Sequence, residues 1–106
     1  MLAVYLACAI SGHANAKSVT LVTPHHGTVV IVWKSKAATV EGLALIEAEV
    51  HKTNPALLSA LMSCIVPVGT KAIITSIGLV THDILVTSGE DAGCRGNVPI
   101  EFISTQ

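Results

Sequence analysis

The stretch SCIVPVGTKAIITSIGLVTHDILVTSGEDAGCRGNVP, Ser63 to Pro99, decides the fold. Two cysteines, Cys64 and Cys94, bracket about thirty residues of strand-like sequence. Within it, TKAIITS reads as a strand, Ile77-Gly78 as a bend, and DILVTS (Asp83 to Ser88) as a second strand. GEDAG is a tight turn that delivers Cys94. The following VPIEFI reads as one closing strand with Val98, Ile100 and Phe102 on one side. Pro99 has no N–H for a ladder, which puts that strand at a sheet edge or at the start of a bulge.

Upstream, Val19 and Leu21 belong to a short strand ended by Pro24 and the His25-His26-Gly27 turn. TVVIVWK (Thr28 to Lys34) is β-branched almost throughout, which suits a strand covered on both faces. The two runs are expected to pair as a hairpin. Alternation puts Val29, Ile31 and Trp33 on one face and Val30 and Val32 on the other. Trp33 then closes one end of the core; the competing reading is an exposed platform for a ligand.

From Thr39 the period changes. Val40, Leu43, Ile46 and Val50 recur every three or four residues, which predicts an amphipathic helix capped by Thr39 and weakened by Gly42. Asn54-Pro55 opens a second helix whose apolar face is Leu57, Leu58, Leu61 and Met62. Pro67 and Gly69 stop it, so Cys64 is expected at a helix end. A Cys64–Cys94 bridge would tie the helical part to the sheet.

The chain has 106 residues, room for one domain, and six Lys+Arg against seven Asp+Glu. That balance creates no one-signed field to steer the protein toward nucleic acid or an anionic membrane. Residues 2–10 form an apolar run, broken at Ser11, Gly12 and His13 and followed by Ala14-Asn15-Ala16. This pattern predicts a signal peptide over 1–16, cleaved after Ala16, and a periplasmic or secreted protein. The alternatives are a short hydrophobic first element of the fold, or lipid attachment at Cys8. The apolar run is too short to cross a bilayer as a helix. Cleavage would remove Cys8 and leave Cys64 and Cys94 as one pair, which an oxidising compartment favours as a disulfide.

The segment VPVGTKAIITSIGLVTHDILVTSGEDAGCRGNVPIEFI resembles the bacterial SH3-like domains of exported proteins. Gly69, Ile73, Ile84, Val86, Gly96, Val98 and Ile103 fall on that family's pattern. The resemblance implies a small barrel of about five strands. The two-helix insertion read from periodicity at about 39–63 is longer than that family's usual linking loop, so the expectation is an α+β chain forming one domain over 17–106. Two positions depart from the family's pattern. His82 or Asp83 stands where the family carries a tryptophan before the third strand, and Asn97 stands where it carries one near the last.

Chemistry-bearing residues are sparse. His25 and His26 are neighbours in a turn, and His82-Asp83 could form an oriented base. Together they support one alternative, a small secreted enzyme or metal-binding protein. A structural or surface-assembly role, with apolar surface buried in an oligomer, is another. The favoured reading is a non-catalytic exported binding module with no cofactor. Its partner would be a protein or envelope component, engaged through a surface near Trp33 and Arg95.

Overall fold

The computed structural model describes residues 17–105. The signal peptide over 1–16, Cys8 and His13 lie outside the described residues. Seven strands form one antiparallel sheet: β1 (Lys17–Leu21), β2 (Val29–Trp33), β3 (Met62–Pro67), β4 (Lys71–Ile77), β5 (Thr81–Val86), β6 (Arg95–Pro99) and β7 (Ile103–Ser104). Their order is β3-β2-β6-β5-β4-β1-β7. Three helices, α1 (Lys36–Glu47), α2 (Val50–Thr53) and α3 (Pro55–Ser59), connect β2 to β3.

The α+β class and a helical insertion therefore hold, but the insertion is three helices over 36–59 rather than two over about 39–63, seven strands replace the expected five, and the barrel does not close. The sheet is open, because β3 and β7 stand at the two ends of its order and do not pair with each other. It nevertheless curls around one apolar core. Val19 and Leu21 of β1, Val30 and Val32 of β2, Val66, Ala72, Ile84, Val86 and Val98 all meet there. Alternation along each strand supplies these residues from one face.

The β1–β2 hairpin does not form: β1 pairs with β4 and β7, and β2 with β3 and β6. The intervening Pro24 to Thr28 segment is a connection between distant strands. Cys64 lies within β3 rather than at a helix end, opposite Val32. Gly69, at φ 99°, turns β3 into β4. The single closing strand is split: β6 ends at Pro99, a 3₁₀ turn spans Ile100–Phe102, and β7 crosses to pair with β1. Pro99 ends an interior strand, opposite Thr81 of β5, instead of marking an edge.

Helix α1 begins four residues before its sequence suggested. Ser35 is its N-cap, with extended backbone and a side chain that accepts from the Ala38 N–H at 3.1 Å. Thr39 sits inside the helix and is fully buried. The buried stripe is Ala38, Thr39 and Gly42, with Leu45 and Ile46 half-buried, whereas Val40 and Leu43 are exposed. Small residues win because the helix lies directly against Trp33. A β-carbon on Gly42 would fall 2.1 Å from the indole ring. Trp33, Ala38 and Leu58 form a second core, flanked by Ile31, Leu45, Ile46, Leu61 and Met62. The faces of β2 thus divide as alternation predicts: Val30 and Val32 toward the sheet core, Ile31 and Trp33 toward the helices.

The first predicted helix does not continue to Val50. Glu49 adopts a left-handed conformation at φ 61°, which ends α1 and starts α2. Proline occupies the start of α3, but the Asn54 side chain makes no capping bond.

Candidate functional site

The connection from β2 into α1 carries Lys34, Ser35 and Lys36 across the outside of the sheet. There they border a hollow of about 430 Å³ with Thr75, Asp83, Ile84, Arg95 and Gly96. A smaller hollow of about 170 Å³ adjoins it, sharing Lys36 and Asp83 and bounded by Ser76, Ile77, Gly78, Thr81 and Asn97. The two form one polar groove between the start of α1 and the β4–β5–β6 face.

Local features of the sequence set its walls. A bulge between Ile74 and Ser76 inserts Thr75 without a partner on β5 and bends the β4–β5 hairpin. Asn97 pairs with Trp33 and with Asp83, so it stands where β2, β5 and β6 meet. Its side chain is buried and hydrogen-bonded through both its nitrogen and its oxygen. Its Nδ2 donates to Asp83 Oδ1 at 2.9 Å, and the Thr39 hydroxyl donates to its Oδ1 at 2.7 Å. Strand β5, strand β6 and helix α1 are thereby fixed to one another at the groove floor. Arg95 is held by its backbone, where the Ser63 hydroxyl donates to its carbonyl at 2.6 Å.

Lys34, Lys36 and Arg95 are three of the chain's six Lys and Arg residues. The ion pair among the described residues is Lys52–Glu49, far along the helical segment, so these three cations face the groove without a carboxylate bound to them. Asp83, the acid of the groove, is turned toward Asn97. A third hollow, about 460 Å³, lies at the other end of the sheet between Val29, Ile65, Val66, Pro67 and the Ser88–Asp91 loop. Its hydroxyls serve the fold: Thr70 donates to the Pro67 carbonyl, and Ser88 accepts from the Lys71 N–H.

Of the residues singled out in the sequence, Arg95 lines the groove and Trp33 lies beneath it at 1% exposure, packed against α1. Cys64 and Cys94 form the disulfide, with 6.6 Å between their α-carbons. The bridge joins β3 to the residue entering β6. His25 and His26 are exposed in their turn. His82 accepts at Nδ1 from the Gly78 N–H, 3.1 Å away, and so braces the β4–β5 turn. Its neighbour Asp83 is committed to Asn97, and the two do not form an oriented pair. No group of three or more metal-ligating side chains occurs among the described residues. Sequence reading missed Lys34 and Lys36. Their only signal is the pair of lysines around the capping serine, and what gathers them with Arg95 is the distant β2–β6 contact. No family model, curated protein or solved structure matches the chain.

Proposed function

We propose that the protein is a non-catalytic exported binding module that engages an anionic component of the cell envelope through the groove between α1 and the β4–β5–β6 face. The observation that carries this reading is the gathering of Lys34, Lys36 and Arg95, unpaired, around a rigid polar floor. Cations carried by one ordered stretch of backbone bind anions more tightly than scattered ones, because less backbone freedom is lost on binding. The SH3-like resemblance of residues 66–103 supports the same class of function. Export follows from the 1–16 sequence pattern and accords with the Cys64–Cys94 bridge.

The reading is tested by titrating the isotopically labelled protein with tripolyphosphate and with an oligoglutamate peptide. Amide shifts are expected at Lys34, Ser35, Lys36, Arg95 and Gly96, weakened several-fold by Lys36→Gln combined with Arg95→Gln. Shifts absent from the groove, or unchanged in the double variant, would overturn it.

A further inference from the structure

The β4–β5 turn beside the groove is unusually apolar for an exposed tip. Ile77 is 76% exposed, Leu79 94% and Val80 61%, and Ile100, 42% exposed, adjoins them through its N–H, which donates to the Val80 carbonyl at 3.0 Å. Hairpin tips ordinarily carry polar turn residues. This one is also held in shape. The Gly78 N–H is anchored on His82, and a β-carbon at Gly78 would lie 2.3 Å from the Thr81 carbonyl oxygen.

Ile77 and Gly78 line the same hollow as Lys36. Lys36 in turn shares the larger hollow with Lys34 and Arg95. An apolar tip thus stands at one end of a strip of cations. The balanced charge of the whole chain hid this arrangement, because the fold sorts the charges that composition averages. Asp83, hydrogen-bonded to Asn97, is the acid that lines both hollows with the cations, and Glu101, next to Ile100 in the sequence, is exposed.

We propose, resting on the anion-binding reading above, that the partner is an anionic lipid surface, with the Ile77–Val80 tip entering the headgroup–acyl boundary and Lys36, Lys34 and Arg95 meeting the headgroups. Peripheral proteins bind membranes by this combination of a small inserted apolar surface and adjacent basic residues. The aliphatic composition of the tip favours lipid over a protein partner. Protein interfaces centre on aromatic and arginine anchors in complementary pockets, whereas the large side chains of this tip are exposed and entirely aliphatic, and a lipid interface requires no matching shape. No helix among the described residues is long and apolar enough to cross a membrane, so contact of this kind would be peripheral.

Co-sedimentation with vesicles tests the proposal. The expected result is binding to mixed phosphatidylglycerol and phosphatidylcholine vesicles, weakened by salt, with far less binding to pure phosphatidylcholine. Leu79→Ser should reduce the affinity about tenfold, the factor expected for returning one leucine side chain to water. Lys36→Gln should reduce it about fivefold. Both positions are exposed, and retention of the native near-ultraviolet spectrum checks that each variant folds. Absence of binding to anionic vesicles overturns the lipid assignment, as does equal binding by Leu79→Ser. If oligoglutamate still shifts the groove amides in either case, the anion-binding reading stands. Self-association abolished by Leu79→Ser, without vesicle binding, would make the tip a contact between copies and likewise overturn the proposal.

Discussion

At Gly42, helix propensity and packing point in opposite directions. Alanine is favoured over glycine in a helix interior by about 1 kcal/mol, yet a β-carbon here would overlap the Trp33 ring. Both residues are enclosed by well-packed neighbours, so the overlap cannot be relieved without moving α1 off the sheet. Gly42→Ala is therefore expected to destabilise by about 1–3 kcal/mol, the usual cost of overpacking, as read by chemical denaturation. Unchanged or raised stability would contradict this packing. Trp33, buried at 1% exposure, should emit blue-shifted fluorescence with weak acrylamide quenching. Asn97 follows a similar logic with polar groups. Asn97→Ala removes the acceptor for the buried Thr39 hydroxyl, although that hydroxyl also donates to the Ser35 carbonyl at 3.0 Å. The expected cost is about 1–3 kcal/mol. Asp83→Ala, on an exposed residue, should cost less, and the reverse order would show that the network is not centred on Asn97.

Among the elements, α1 shows what sequence could and could not convey. The change from strand to helical period is plain near Thr39, but the face is not. Val40 and Leu43 look like core and are exposed, while Ala38, Thr39 and Gly42 are inside. Their selection depends on Trp33, a tertiary contact that periodicity does not encode. The strand tally failed for a related reason. VPIEFI alternates well enough to read as one strand, yet the chain must leave β5 and reach β1, and the 3₁₀ turn at Ile100–Phe102 makes that step. The end of α1 yields a prediction. A left-handed conformation costs an ordinary L-residue about 1–2 kcal/mol, and the exposed Glu49–Lys52 pair at 2.8 Å returns at most about 1 kcal/mol. Glu49→Gly is expected to leave thermal stability unchanged or raise it slightly. A marked loss would mean that the ion pair outweighs the backbone term.

For the whole molecule, the α+β class, most strands and the cysteine pair were legible from residue type and spacing. The order of the strands was not, because it depends on which apolar faces meet. The groove was legible only at Arg95, since its other cations are brought in by the β2–β6 crossing. That crossing is also the narrowest connection in the sheet. β2 and β6 share a single paired position, Trp33 opposite Asn97, whereas β2–β3 and β5–β6 each pair along most of their length. The Cys64–Cys94 bridge joins the two sides of this crossing. Replacing both cysteines with alanine should cost about 2–5 kcal/mol, measured by denaturant unfolding. The same arrangement divides the molecule mechanically: the disulfide is a rivet across a seam, and without it the β2–β3 ribbon and its helices keep one ladder position, the Thr39–Asn97 and Ser63–Arg95 bonds and the shared core as their ties to the rest. In the reduced protein, amides of β2 and β3 should exchange with solvent together, ahead of those of β4, β5 and β6. Uniform exchange along all the strands would show instead that the shared core alone keeps the two parts together.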